Sequence, residues 1–163
     1  MKQNQILLKN AMIAAVYAVM TIGLAPISYG PVQVRISECM TLLAFYDKRV
    51  IPGLVAGCFL ANIGSPFGLP DMIIGTAATA VGLYLMRFCP NLLTASLMPV
   101  LANGVIIGAE LTLLSALPPE ISPLLAMIYV GLGEFAAVTV IGCIVMKLVM
   151  KNENVKAWIE GKS

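Results

Sequence analysis

The chain has 163 residues, of which 60% are apolar and 11% are charged; its mean hydropathy is +0.94 and its formal net charge is +2. Soluble domains carry charge at about a quarter of their positions, so the composition excludes an ordinary soluble protein and indicates an integral membrane protein of one domain. There is no histidine, and Cys39, Cys58, Cys89 and Cys143 are scattered singly. No metal site and no cofactor are therefore predicted.

Apolar runs between turn residues and charges predict an all-α protein with six transmembrane helices in a single domain over residues 1–163. The expected spans, in chain order, are residues 8–26, 37–47, 50–64, 70–87, 92–116 and 123–147. The second and third are shorter than the roughly 20 residues that a crossing needs. They are expected to cross only if the loops 27–36 and 64–69 sink into the protein.

The distribution of Lys and Arg tests this topology independently. With the N-terminus in the cytoplasm, nine of the ten basic residues fall on the inner side and Arg35 alone falls outside. Both termini are then cytoplasmic, and the protein is expected to be a multi-pass protein of the cytoplasmic membrane. A re-entrant hairpin over 37–64 would instead bury Lys48 and Arg49 at mid-membrane. No removable signal peptide is expected, and the tail from Asn152 to Ser163 should continue the last helix or lie at the interface.

Polar side chains of the predicted spans and of the loop before the second span gather in the outer half of the membrane. They are Arg35, Glu38, Asn62, Asp71, Glu110 and Glu134, and Asn103 is expected two turns deeper than Glu110 on the same helical face. Glu110 is expected about two turns, or roughly 10 Å, below the outer end of the fifth helix, and Glu134 roughly 15 Å below the outer start of the sixth. A charge at depth must face the protein interior, a partner or a cavity. These residues are therefore expected to converge.

One arginine cannot neutralise four carboxylates, so the convergence predicts a pocket for a cationic or donor-rich ligand. The alternative is that Arg35 pairs with Glu38 or another carboxylate and only locks helix packing. Phe67, in the turn of residues 64–70, is expected to stack on a flat ring or to anchor the chain at the interface.

The first helix carries a stripe of small residues, Ala11, Ala14, Ala15 and Ala18. Small residues at this spacing let another helix approach closely in lipid. The stripe fits docking to a second protein and internal packing equally well.

The common catalytic motifs are missing from the sequence, which has no phosphate loop ending in GK[ST], no HExxH and no GxSxG. Any nucleotide site that powers the protein is expected on another chain. With no nucleophile and base at matching depth, an enzyme is not expected.

Three stretches of the sequence resemble the queuosine-precursor transporter (QueT) family. They are Gly30-Pro31-Val32-Gln33-Val34-Arg35-Ile36-Ser37-Glu38, Asn62-Ile63-Gly64-Ser65-Pro66-Phe67-Gly68, and Asp71 with Gly75-Thr76. The resemblance covers essentially the whole chain. It implies a six-helix substrate-capture (S) component of an energy-coupling factor (ECF) transporter, which binds a 7-deazaguanine such as preQ1 from outside. Its partners would be a transmembrane coupling protein, two ATPase subunits and the bilayer, with no nucleic acid.

The resemblance also implies roles for the candidate substrate-binding residues, which are Arg35, Glu38, Asn62, Phe67, Asp71, Asn103, Glu110 and Glu134. Either Glu110 or Glu134 would bind the guanine-like edge and the other the ammonium of preQ1, with Asn103, Asn62 and Arg35 orienting the ligand. The alanine stripe is similar to the docking surface of such subunits. A stand-alone secondary carrier or channel for a small cation stays the alternative, and the choice among preQ1, preQ0, queuine and other vitamins stays open.

Overall fold

The computed structural model describes residues 3–29, 34–118 and 120–161, and all regular structure in these ranges is helical, as predicted. The α-helices are α1 (Gln3–Gly23), α2 (Ala25–Ser28), α3 (Leu43–Tyr46), α4 (Ile51–Asn62), α5 (Leu69–Met86), α6 (Leu92–Leu113), α7 (Pro123–Glu134), α8 (Cys143–Val149) and α9 (Glu153–Ile159). The 3₁₀ helices Ile36–Leu42 and Lys48–Val50 precede α3 and α4, and a π-helix, Phe135–Gly142, joins α7 to α8. Gly30 to Gln33 of the QueT-like motif, together with Lys2 and Lys162, lie outside the described residues.

Each of the six predicted spans falls on a helical segment. Four of these segments are long and apolar enough to cross a membrane: Gln3–Gly23, Leu69–Met86, Leu92–Leu113 and Pro123–Val149. The other two, Ile36–Tyr46 and Ile51–Asn62, are shorter. Because a 3₁₀ helix rises about 2 Å per residue, the first of them reaches about 20 Å and the second, an α-helix, about 18 Å.

The helical segments close into a ring. Helix α1 contacts α4, α4 contacts α5, α5 contacts α6, and α6 contacts α7. The π-helix after α7 contacts the 3₁₀ helix Ile36–Leu42, which contacts α1 and completes the ring. Large aliphatic side chains such as Leu7, Val19 and Leu113 point outward with 70%, 71% and 84% exposure. The polar side chains are therefore left to the interior, as in a bundle surrounded by lipid.

The alanine stripe of α1 is divided between the interior and the surface. Ala14 and Ala18 are buried, whereas Ala11 and Ala15 are exposed. A Cβ atom added to Gly57 of α4 would lie 3.0 Å from Cα of Ala14, so the two backbones nearly touch. Internal packing accounts for Ala14 and Ala18, because small residues permit such an approach. A docking role stays a prediction for Ala11 and Ala15.

Lys9 ties three distant parts of the chain together at one end of the ring, which we call the Lys9 end. Its ammonium donates to Oδ2 of Asp47 at 2.9 Å and to the carbonyl oxygens of Trp158 at 2.9 Å and Ile159 at 2.8 Å. Arg49 Nε donates to Oδ1 of Asp47 at 2.8 Å. The tail therefore does not extend α8. It folds back as α9, and its last carbonyls, where the helix dipole is negative, face a cation.

Asp47 should give the protein a stability that is lost in acid. Burial alone would raise the pKa of Asp47, but hydrogen bonds from Arg49 and Lys9 outweigh it and lower the pKa from 3.8 to about 2. The stabilisation is therefore complete above about pH 4 and disappears as the pH falls to about 2, a loss of about 2 kcal/mol. Unfolding free energies of the wild type and of Asp47→Asn should converge over this interval. A difference that stays constant from about pH 5 to pH 2 would contradict this account.

Candidate functional site

Opposite the Lys9 end, the chain enters the 3₁₀ helix Ile36–Leu42 through Arg35, and this helix sets the direction of Glu38. Runs of 3₁₀ longer than three or four residues are uncommon, and this one has seven. Arg35 and Glu38 are buried, with 4% and 0% exposure. Arg35 also lies with its guanidinium 5.5 Å from the ring centroid of Tyr29. Two charged groups thus enter the interior from one short segment.

Asn62 and Asp71 bracket the turn between α4 and α5. The predicted turn is present: Gly68 has φ of 64°, and its N–H donates to the Ser65 carbonyl oxygen at 3.2 Å. Asn62 Nδ2 donates to the Asp71 carbonyl oxygen at 3.0 Å. Asp71 lies in the first turn of α5, where the helix dipole favours an anion. Its Oδ2 accepts from Arg35 Nη2 at 3.4 Å.

Glu110 lies nearer the end of its helix than the sequence predicts. Helix α6 ends at Leu113, so Glu110 is one turn, about 4.5 Å, from the end rather than two. The helix stops there because Ser115 has a positive φ of 50° and the N–H of Ala116 turns back to the Leu111 carbonyl oxygen at 2.9 Å. This is the geometry of a left-handed helix cap.

Glu134 is the last residue of α7 before the π-helix. Short π segments within α-helices are frequent at functional sites. The Asn103 side chain, on α6, hydrogen-bonds to the Glu134 carboxyl group. Both side chains are buried, with 3% exposure for Asn103 and 2% for Glu134. The structure therefore brings together two candidate residues, Asn103 of α6 and Glu134 of α7, that the sequence does not predict to be a pair.

Four buried carboxylates lie close enough to Arg35 to interact with it electrostatically. Arg35 interacts electrostatically with Asp71 and Glu38, with Glu110, and with Glu134. We call Glu38, Asp71, Glu110 and Glu134 the acidic cluster; each is at most 3% exposed. The convergence predicted for these residues is present. Arg35 forms its ion pair with Asp71. The alternative that such a pair only locks helix packing therefore applies to Asp71, and Glu38, Glu110 and Glu134 stay candidates for binding a ligand.

Glu38 is held by two residues, Tyr17 and Thr79, that are not among the candidates predicted from the sequence. Its Oε1 accepts a short hydrogen bond from the Tyr17 hydroxyl and a second from Thr79 Oγ1 at 3.3 Å. Thr79 is in turn 3.3 Å from Cys58 Sγ. A signal for Tyr17 was available, because it lies on the same inward face of α1 as Ala14 and Ala18 and is fully buried.

The acidic cluster contains buried acceptors without donors. In the described part of the chain, hydrogen-bond partners are lacking for Glu38 Oε2, Asn62 Oδ1, both carboxylate oxygens of Glu110, and Glu134 Oε2; the Ser28 and Thr76 hydroxyls share this property. Buried polar atoms normally have partners, and an ionised carboxylate can only accept. The arrangement is therefore suited to a ligand that brings several N–H or ammonium donors.

Phe67 packs against apolar side chains near the acidic cluster. Its half-buried ring packs against the apolar group formed by Ala78, Ile107, Leu111 and Val130. Its N–H donates to Ser65 Oγ at 3.2 Å. Ile107 and Leu111 flank Glu110 on α6, so the ring is near the end of the helix that carries this carboxylate. A stacking role stays a prediction.

The polar groups of the site are suited to binding a ligand through carboxylate and amide oxygens that accept hydrogen bonds. Among residues 3–29, 34–118 and 120–161, no group of three or more Cys, Asp or Glu side chains is arranged to hold a metal ion. The acceptors that lack donors lie on α4, α6, α7 and the 3₁₀ helix Ile36–Leu42. A ligand that satisfied them would therefore bridge several members of the ring.

Comparison with known proteins gives a family and one curated relative. The family model described as QueT transporter matches residues 7–151. The queuosine precursor transporter QueT of Lactococcus lactis subsp. cremoris (strain MG1363) is 42% identical over 77 residues, which are 46% of this chain and 45% of that protein. The match thus spans less than half of the relative's length. No solved structure matches the chain.

Proposed function

Because the chain belongs to the QueT transporter family, we propose that it captures a queuosine precursor, a 7-deazaguanine such as preQ1, for uptake into the cell. The observation that carries the proposal is the set of buried acceptors without donors on Glu38, Glu110 and Glu134. A 7-deazaguanine offers an N–H and an exocyclic amine that suit a carboxylate, and a carbonyl that suits Arg35 or Asn62. Its flat face suits an aromatic ring such as Phe67.

The protein crosses the cytoplasmic membrane six times in this proposal, with the Lys9 end and both termini inside. Both short segments run between the two ends of the ring. Helix α4 begins where the Gly53 N–H donates to Asn10 Oδ1 at 2.6 Å and ends at Asn62, which contacts Asp71. The 3₁₀ helix and α3 likewise lead from Arg35 to Asp47. Basic residues at the Lys9 end favour the cytoplasmic side, so the acidic cluster faces outward.

Energy for transport comes from partners in this proposal, as in an ECF transporter. The chain supplies the S component, and a transmembrane coupling protein with two ATPase subunits supplies the power. The sequence supports this because it has no phosphate-binding loop. Ala11 and Ala15 remain exposed on α1 and are available for a close helix contact.

Calorimetry on the detergent-solubilised protein tests the proposal with preQ1, preQ0 and queuine. We expect saturable binding of at least one of them, and a loss of affinity of roughly 10- to 100-fold in Glu134→Gln, which removes a charged acceptor but keeps its shape. The matched control is Glu120→Gln, because Glu120 is an exposed carboxylate. Wild-type affinity in Glu134→Gln, or no binding of any of the three compounds, would contradict the proposal.

Liposomes that contain the purified chain alone test the division of labour. We expect no ligand accumulation without the coupling protein and the ATPases. Accumulation by the chain alone, without ATP, would instead identify a secondary carrier that uses the same carboxylates.

A further inference from the structure

The carboxylates of the acidic cluster differ in how much of each one the protein already satisfies. Glu38 has two O–H donors on Oε1, and Glu134 has a hydrogen bond from Asn103, so each keeps one oxygen without a partner. Neither oxygen of Glu110 has a partner among the described residues. Glu110 is therefore the least satisfied of the three, although its exposure is only 3%.

Glu110 also lies beside two features that disfavour a negative charge, the C-terminal end of a helix and a second carboxylate. It is in the last turn of α6, and its own carbonyl oxygen accepts from the Leu114 N–H at 2.9 Å. The C-terminal end of a helix dipole disfavours an anion. Asp71 adds the repulsion of a second carboxylate, and Arg35 is the group that opposes it. Arg35, however, already forms an ion pair with Asp71.

Glu134 also has a carboxylate neighbour and is opposed by Arg35, but it differs from Glu110 in its position along the helix and in its hydrogen bonding. It lies inside the continuous helical segment Pro123–Val149, far from either helix end. Its carboxyl is oriented by Asn103, and the carboxylate that repels it, Glu38, is oriented by Tyr17 and Thr79. Glu38 and Glu134 are each held in one orientation, and each has one oxygen without a partner. Such a pair suits neutral N–H groups that lie in one plane. A carboxylate with both oxygens free beside a helix C-terminus suits a full positive charge.

We infer that Glu110 binds the cationic substituent of the ligand, whereas Glu38 and Glu134 bind its neutral N–H edge, so that the site selects precursors with a side-chain ammonium over those with an uncharged substituent. This inference rests on the proposed function and assigns the part of the ligand that each carboxylate contacts. Glu110 is then the residue that determines specificity for charge.

The experiment measures the binding of two ligands to the wild type and to four variants by calorimetry of the full chain in detergent. The ligands are preQ1, whose aminomethyl group is an ammonium, and preQ0, whose nitrile is neutral. The wild type should prefer preQ1. Glu110→Gln should lower affinity for preQ1 by roughly 10- to 100-fold and change affinity for preQ0 by less than about threefold. Glu134→Gln should lower both affinities by similar factors, and Glu120→Gln should change neither.

The other outcomes contradict either the assignment of Glu110 or the proposed function. Equal losses for both ligands in Glu110→Gln, or unchanged preQ1 binding, would overturn the assignment of Glu110 while leaving the proposed function intact. Failure of the wild type to bind either ligand would overturn the proposed function and the assignment with it. Glu110→Asp keeps the charge and should retain the preference for preQ1. If Glu110→Gln does not fold, as judged by its melting transition, loss of the preference in Glu110→Asp would overturn the assignment.

Discussion

Replacing Arg35 with methionine should destabilise the detergent-solubilised protein by about 3–5 kcal/mol, which is the usual cost of removing one partner from a buried ion pair. Arg35 is 4% exposed and Asp71 is 1% exposed. Without the guanidinium, Asp71 is left as a buried charge beside three further carboxylates. The Ser28 carbonyl oxygen also loses its donor, Arg35 Nε at 3.3 Å. The measurement is the free energy of unfolding in mixed micelles.

Two further variants separate the ion pair from a general effect of losing an arginine. Arg87→Met removes an exposed arginine that lies over the Tyr84 ring and should change stability by less than about 0.5 kcal/mol. Arg35→Met combined with Asp71→Leu removes both charges and should recover much of the loss, because an apolar pair can replace a buried ion pair. Wild-type stability in Arg35→Met would show that Arg35 does not neutralise the cluster.

Gly108→Val should separate α6 from α7 and cost about 3 kcal/mol, at the upper end of what overpacking does. A Cβ atom at this position would lie 2.5 Å from Cα and 2.7 Å from N of Met127. These are backbone atoms, which cannot move aside as a side chain can. Because the interface carries Glu110 on one side and Glu134 on the other, we also expect ligand affinity to fall. Unfolding and calorimetry on the same preparation measure both effects.

Gly131→Ala is the matched control on the same pair of helices. The nearest atom to an added Cβ there is Cα of Gly104 at 3.9 Å, which is an ordinary contact. The substitution should change stability by less than about 1 kcal/mol, since a better helix former offsets the small loss of space. If Gly131→Ala were as damaging as Gly108→Val, the close approach at Gly108 would not be the cause.

The helices and the convergence of charges could be predicted because both follow from the cost of polar groups in lipid. The apolar runs predict the bounds of the helices to within a few residues. Because a charge is unfavourable in lipid, Glu110 and Glu134 are predicted to face inward whatever the neighbouring sequence. The predicted span 92–116 extends about one turn past the observed end of α6 at Leu113. The residues after Leu113 are still apolar, and the cap at Ser115 is a matter of backbone geometry.

The parts that the sequence did not predict depend on contacts between distant residues. Periodicity does not distinguish 3₁₀, α and π geometry, and the 3₁₀ helix Ile36–Leu42 and the π-helix Phe135–Gly142 lie against each other. The charge pattern predicts only that Lys9 is one of nine basic residues on the inner side, yet Lys9 is 4% exposed and hydrogen-bonded to Asp47 and α9. Nothing near Lys9 in the sequence indicates partners 38 and 150 positions away.

The 3₁₀ helix Ile36–Leu42 makes the length of its segment as important as its composition. Each residue in such a helix advances the chain by about 2 Å and turns it by about 120°. If one residue after Glu38 were deleted, Asp47 could no longer reach Lys9 while Glu38 kept its place. If Asp47 did keep its contact with Lys9, Glu38 would be turned out of the ring. A loop would absorb that change, but this segment is anchored at both ends. Relatives of this protein should therefore keep the number of residues between Glu38 and Asp47 constant, even where the residues themselves differ.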